Sequence, residues 1–282
     1  MPASLYVVST PIGNLEDITL RALSTLKAVG LIAAEDTRRT SILLRHFGIT
    51  TPTTSLHEHN EHQKLPQLLQ KLAEGQDIAL VSDAGTPLVA DPGQRLVAAA
   101  IKKRVRVIPI PGASSVLSAL AVSGLPADTF VFAGFAPARS NERKLWLQGF
   151  ADEQRPIVIF ETPHRIQRTL ADMPAILGDR PITIARELTK IHEEIITTTI
   201  YKVNDLNIRA KGEFTLVIGQ SPPPDRSTAI VDDAKVAAFF YHLTNDDGVA
   251  RRVALKQTAL RFGLSTKDIY RTVESLKPPP TP

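Results

Sequence analysis

The chain has 282 residues, 43% of them hydrophobic, no cysteine, and 33 basic against 29 acidic residues, for a net charge of +4 and a pI near 9.3. That length suggests about two domains with a packed core, and the lack of cysteine excludes disulfides and thiol nucleophiles and fits a reducing compartment. No leader pattern opens the chain and no apolar run is long enough to span a bilayer, so a cytoplasmic protein with no membrane partner is expected.

In chain order, residues 5–9 form a short apolar run that reads as a strand, followed by a loop over 10–17. Leu20, Leu23, Leu26 and Val29 make a helical stripe. Residues 32–34 are the next strand, and 37–47 reads as a helix stopping at Gly48. Leu65, Leu68, Leu69 and Leu72 mark an amphipathic helix ended by Gly75. A strand at 78–81, a helix at 95–103, a strand at 105–108 and a helix at 114–123 continue the alternation. This pattern predicts an α/β fold with a largely parallel sheet covered on both faces. The second half differs. Strands at 130–133, 157–160, 182–187, 195–203 and 214–218, some closely connected, predict a second α/β lobe with a mixed sheet. The lobes are expected to span 1–111 and 112–220. The prolines at 222–224 interrupt helix and ladder alike, so 220–227 reads as a linker, 228–277 as a small helical module and 278–282 as a tail.

Three loops of small residues follow strands of the first lobe. They are Ser9-Thr10-Pro11-Ile12-Gly13-Asn14, then Ser82-Asp83-Ala84-Gly85-Thr86-Pro87 continuing to Asp91-Pro92-Gly93, and Pro109-Ile110-Pro111-Gly112-Ala113-Ser114-Ser115. Open α/β sheets bind ligands outside the carboxyl ends of their strands. Glycine there admits close backbone approach and proline fixes the loop, although each loop singly is also an ordinary turn. There is no phosphate loop ending in Gly-Lys-Ser/Thr, no complete dinucleotide fingerprint and no nucleophile elbow. Nucleotide hydrolysis and covalent hydrolysis lose ground accordingly. The run His57-Glu58-His59-Asn60-Glu61-His62 has the residue types of a metal cluster, but a polar loop entering a helix accounts for it, and no metal is expected. Charged clusters stand at further strand ends: Glu35-Asp36-Thr37-Arg38-Arg39, Glu161-Thr162-Pro163-His164-Arg165 and Arg186-Glu187-Leu188-Thr189-Lys190. Each alone suits helix capping or surface pairing as well as chemistry. Their shared placement suggests one cleft between the lobes.

In the last module, Ala254, Thr258, Leu260 and Phe262 lead to a helix stop at Gly263. Ser265-Thr266-Lys267-Asp268 then reads as a capping box opening a second helix with Ile269, Val273 and Leu276 on its buried stripe. Residues 249–277 hold seven basic and two acidic residues. A packing or dimerisation appendage is one reading of this helix-turn-helix-like pair. Contact with RNA phosphates through Arg251, Arg252, Lys256, Arg261, Lys267 and Arg271 is favoured, because the positive charge concentrates here.

Taken together and in order, the loops at 9–15, 34–38, 82–87, 91–93, 111–115, 123–125, 161–165 and 186–190 resemble the tetrapyrrole methylase superfamily. The chain is most similar to the branch that methylates a cytidine 2′-hydroxyl of small-subunit (16S) ribosomal RNA. The resemblance implies two α/β lobes with S-adenosylmethionine in the cleft between them, ribosomal RNA or the small ribosomal subunit as partner, and a homodimer. Carried over by position, it implies cofactor contacts from Pro11, Asp83, Thr86, Ser114, Ser115, Thr162 and Arg186. A base for the 2′-hydroxyl is expected among Glu35, Asp36 and Glu187, with the choice open. Most of the superfamily has a glycine-rich first loop and Gly-Asp-Pro in the second. Here these read Thr10-Pro11-Ile12-Gly13-Asn14 and Ser82-Asp83-Ala84-Gly85, a departure that suits RNA rather than a tetrapyrrole. A tetrapyrrole methyltransferase is the alternative.

Overall fold

In the computed structural model, residues 3–221, 232–262 and 264–276 are described. The prolines at 222–224, Gly263 and residues 277–282, on which linker, helix-stop and tail expectations fall, lie outside them. The chain divides into two compact units, Met1–Pro222 and Pro223–Pro282.

The first unit opens with β1 (Ser4–Val8), α1 (Leu20–Ala28), β2 (Leu31–Ala34), α2 (Thr37–His46), β3 (Thr53–Ser55), α3 (Glu61–Ala73), β4 (Ile78–Val81), α4 (Gln94–Lys102) and β5 (Arg106–Ile110). The strands form one sheet in the order β3-β2-β4-β1-β5, every pair parallel. The period-2 alternation of strand side chains explains why both faces are apolar. Leu31, Ala33, Ile78 and Leu80 pack with Leu68, Leu72, Leu96 and Ala100 of α3 and α4. Ile32, Ala34, Ala79 and Val81 face the other way, onto Ala22, Leu26 and Leu44 of α1 and α2.

After α5 (Ser115–Ser123) come β6 (Val131–Phe135), α6 (Ser140–Gln148), β7 (Ile157–Glu161), α7 (Ile166–Asp172), α8 (Pro174–Leu177), β8 (Pro181–Arg186), β9 (Glu194–Thr199), α9 (Ile200–Val203) and β10 (Phe214–Ile218). The second sheet runs β6-β7-β10-β8-β9, parallel only at β6–β7 among these pairs. One face packs on α6 to α8 through Leu147, Ile166, Leu170 and Leu177. The other takes α5, whose Val116, Ala119 and Leu120 meet Val158, Ala185 and Val217, and Ile12 of the first loop joins the same cluster. The first loop of the first lobe therefore joins the core that α5 forms on the second sheet. The expected strand 195–203 is a strand only to Thr199. Ile200 and Val203, both buried, turn inward as α9. The three-residue β3 carries too few residues for a periodic signal and is absent from the sequence reading.

The second unit contains α10 (Asp233–Tyr241), a π-helical turn at His242–Asp246, α11 (Arg251–Phe262) and α12 (Thr266–Ser275). Val236, Phe240, Ala254, Ile269 and Val273 form its core. Ser265 caps α12 as its sequence predicts: its hydroxyl accepts the Asp268 N–H at 3.1 Å and donates to the Asp268 carboxylate at 2.6 Å.

Candidate active site

Beyond the ends of β1 and β4, the Thr10 N–H donates to the Gly85 carbonyl (2.8 Å) and the Gly85 N–H to the Thr10 carbonyl (3.0 Å). The Ser9 and Thr86 hydroxyls lie 3.0 Å apart, and Thr86 Oγ1 donates to the Ala113 carbonyl at 3.3 Å. Ser114 caps α5 by accepting the Leu117 N–H. The three small-residue loops are thus one hydrogen-bonded assembly at the carboxyl edge of the first sheet, the edge where such sheets bind ligands.

The second lobe closes over this edge. The Asn14 N–H donates to Thr189 Oγ1 at 2.9 Å. At Gly13 a Cβ would meet Lys190 Cγ at 2.5 Å and the Leu188 carbonyl oxygen at 2.9 Å, so only glycine lets the first loop lie against residues 188–190. Four non-glycine residues in the closing loops adopt left-handed backbone: Leu88 (φ 75°), Ala90 (φ 67°), Glu187 (φ 52°) and Thr189 (φ 66°). Such conformations cost free energy and persist where surrounding contacts enforce them, often at ligand sites.

Two cavities result. The first, of about 310 Å³, lies between the lobes. Thr86, Ser114, Ser115 and Thr162, expected at the cofactor, all line it. So do Asp91, Glu161, Phe135, Phe160 and Thr215, which the sequence reading did not assign to the site. Asp91 was visible in the second small-residue loop and Glu161 in a charged cluster. Phe135 and Thr215 carry no local signal. The second cavity, of about 210 Å³, is lined by Pro11, Asp83, Arg39, Thr40, Ile42, Leu43 and Lys190, among others. Ile12, Ala84 and Glu213 line both cavities. Arg186 lines neither; it donates to Glu194 at 2.8 Å and to the Lys211 carbonyl at 3.2 Å.

The carboxylates of the first lobe gather at the ends of β2 and β4. The Asp83 N–H donates to Glu35 Oε2 at 3.3 Å, and the Asp36 N–H to Asp83 Oδ1 at 2.9 Å. Burial pushes the Glu35 carboxyl up, and the charges of Asp83 and Asp36 add to this, against the Asp83 N–H and Arg39. Asp91 is pushed up to about 6, first by burial and then by the charges of Glu35 and Asp83, despite a hydrogen bond from Ser82. Asp36 behaves oppositely. It caps α2, and its hydrogen bonds from the Arg38 guanidinium hold it at about 2.

In the second lobe the acids are paired. Glu161 is fully buried, accepting from Thr169 at 2.5 Å and from its own neighbour, the Thr162 N–H, at 2.8 Å, with Arg165 at 3.3 Å. Glu187 accepts from Lys190 (2.8 Å) and the Glu213 N–H (3.0 Å). Burial raises its pKa, but these bonds and the charges of Lys190 and Arg186 outweigh that and leave it below the usual range. Its side chain occupies the place a Cβ at Gly212 (φ +91°) would need. None of Glu35, Asp36 and Glu187 lines either cavity.

The six basic residues expected to meet RNA are all exposed in the second unit. Arg251 is paired with Glu274 and lies over the rings of Phe240 (5.6 Å) and Tyr270 (6.0 Å). Arg261 stacks over Phe239 at 4.3 Å. Arg252, Lys256, Lys267 and Arg271 have no ion pair among the described residues. Among the described residues, no three His, Asp or Glu side chains are grouped to hold a metal ion, and no helix is long and apolar enough to cross a membrane. The histidine run instead wraps the start of α3, with Asn60 accepting the His57 N–H and Glu61 the Arg95 N–H.

Residues 4–204 match the family model of Tetrapyrrole (Corrin/Porphyrin) Methylases. Ribosomal RNA small subunit methyltransferase I of Synechocystis sp. is 52% identical over 272 residues, covering 95% of this chain and 96% of that protein. The protein of the same name from Escherichia coli O157:H7 is 49% identical over 219 residues, covering 76% and 77%. Among solved structures, the methyltransferase CobJ superposes with a TM-score of 0.60 at 18% identity, covering 78% of this chain and 95% of that one. A diphthine synthase superposes with 0.59 at 15% identity, covering 77% and 90%. At those identities the likeness shows the fold.

Proposed function

Because the chain belongs to the tetrapyrrole methylase family, and within it to the small-subunit ribosomal RNA methyltransferases I, we propose that it methylates a cytidine 2′-hydroxyl of small-subunit ribosomal RNA, with S-adenosylmethionine as donor. The observation that carries this reading is the first cavity, formed by loops of both lobes in a chain that a relative of that name matches over 95% of its length. Ribosomal RNA as substrate implies action in the cytoplasm.

The first cavity suits the cofactor. Hydroxyls of Thr86, Ser114, Ser115 and Thr162 and the apolar walls of Ile12, Val89, Phe135 and Phe160 would hold it. The carboxylates of Asp91, Glu161 and Glu213 suit its positive charges. When bound, S-adenosylmethionine supplies a methyl group on an already activated sulfonium, so the protein's main task is to align the hydroxyl with it. The hydroxyl must lose its proton as the O–C bond forms and the C–S bond breaks. Of the three candidate bases, Asp36 and Glu187 are occupied by partners that stabilise the charged form, whereas Glu35 has a raised proton affinity. Glu35 accepts the Asp83 N–H, and we assign it the positioning of Asp83. Arg252, Lys256, Lys267 and Arg271 are the phosphate-directed cations of the second unit. A homodimer is supported by α5, which leaves the apolar Leu117 59% and Val122 46% exposed.

The test is methyl transfer from labelled S-adenosylmethionine, offered unmethylated small subunits, free 16S RNA and a uroporphyrin in parallel. Label is expected in RNA and, after nuclease digestion, in 2′-O-methylcytidine. Label on a base or on the tetrapyrrole would overturn the reading.

A further inference from the structure

Resting on that reading, we infer that the second cavity receives the acceptor nucleotide, with Asp83 facing the ribose hydroxyl and Arg39 the adjoining phosphate. A methyl group passes directly between donor and acceptor only if the two sites touch, and the two cavities adjoin at Ile12, Ala84 and Glu213, which line both. The second cavity differs from the first in its chemistry. Its sides carry two carboxylates, Asp83 and Glu213, the latter paired with Lys190 at 3.0 Å, and two cations, Arg39 and Lys190, beside the apolar Leu15, Ile42 and Leu43. That combination matches a nucleotide, with an apolar ledge for the base, a carboxylate for a hydroxyl and cations for phosphate.

The state of each charge refines the assignment. Lys190 is held by Glu187 (2.8 Å) and Glu213 (3.0 Å) and serves the wall. The Arg39 guanidinium is 3.5 Å from Asp83 and its side chain is 63% exposed, so it can turn to an incoming phosphate. Ile42 is 60% exposed, an apolar side chain left in water at the cavity mouth, where an unstacked base would cover it. Asp83 Oδ1 is fixed by the Asp36 N–H at 2.9 Å, which aims the carboxylate without neutralising it. A cavity of about 210 Å³ admits one flipped-out nucleoside rather than a helix. In the transfer, the 2′-oxygen bonds the methyl carbon, the carbon–sulfur bond breaks with its electron pair staying on sulfur, and the hydroxyl proton passes to the Asp83 carboxylate.

Three variants test this, with melting temperatures to confirm folding. Asn at position 83 keeps an oxygen for the Asp36 N–H. Asp83→Asn should therefore lower kcat by about a hundredfold or more, the usual scale for a lost base. S-adenosylmethionine affinity, read by calorimetry, should stay within about twofold, since no contact in the first cavity changes. Arg39→Ala should raise KM for unmethylated small subunits about tenfold, the scale of one charge-assisted contact, with kcat little changed, and Arg39→Lys should recover part of it. Ile42→Trp, which fills the mouth, should weaken subunit binding alone. If Asp83→Asn or Arg39→Ala instead weakens cofactor binding and leaves kcat and subunit KM intact, the second cavity belongs to the cofactor and the inference falls. Wild-type transfer to small subunits is the control. Its absence would sink the function reading and this inference with it, whereas transfer that all three variants leave untouched sinks the inference alone.

Discussion

In the first lobe Glu35, Asp83 and Asp91 crowd one another, and burial with mutual repulsion raises the proton affinity of Glu35 and Asp91. In the second lobe Glu161, Glu187 and Glu194 each have a cation within 3.3 Å, from Arg165, Lys190 and Arg186 respectively. The same side-chain chemistry thus serves different ends on the two sides of one cleft. Paired acids fix the loops that close the cleft. Acids left crowded keep a proton affinity that chemistry near neutral pH can use. The terminal unit repeats the division with cations: Arg251 is paired with Glu274, while Arg252 and Lys256 are not paired among the described residues.

Removing a paired, buried acid should have the largest effect on stability. Glu161→Ala removes the acceptor of Thr169 and the Thr162 N–H and the counter-charge of Arg165, and should cost about 3 kcal/mol in urea unfolding, as broken buried pairs do. A loss as small as a surface mutation would erase the distinction between the lobes. Glu35→Ala, which leaves the Asp83 N–H without its acceptor, should act on rate instead, lowering kcat about tenfold as Asp83 loses its positioning. In the wild type, activity that needs ionised Glu35 falls as pH drops through its raised pKa. That acid limb should flatten in the variant while cofactor affinity holds, and an unchanged profile would remove Glu35 from the mechanism.

Asp91 provides a smaller test with a definite sign. Its folded pKa of about 6 lies above the ordinary value, so the folded state binds the proton more tightly than the unfolded chain. Holding it ionised opposes folding increasingly as pH rises from about 4 towards 6, with the full cost present above that. Asp91→Asn should therefore melt higher than wild type at pH 8, and the gain should close towards pH 4. A variant less stable at pH 8 would show the Ser82 hydrogen bond outweighing the crowding. The smallest effect is expected from the cations. Arg252→Ala with Lys256→Ala should reduce the slope of log affinity for small subunits against log salt by about 1 to 2. Arg251→Ala should chiefly lower the unit's melting temperature. Equal salt slopes for all three would end the parallel.

Much of the fold is legible because its causes are local. Short apolar runs at β2 and β4, glycine stops at Gly48 and Gly75, and the cap at Ser265 all act within about one turn of chain. The ordered loops identify the family because small residues are needed wherever backbone must approach backbone, as at Gly13 against Leu188. The sequence also marks the strand ends where chemistry gathers. It does not say which carboxylate turns to which cavity. Asp36 meets Asp83 across 47 positions, and Glu187 meets Glu213 across 26. Loop side chains have no period from which direction could be read. Only the tertiary packing of the strand-end loops decides that Asp83 lines one cavity, Asp91 the other, and Glu35, Asp36 and Glu187 neither.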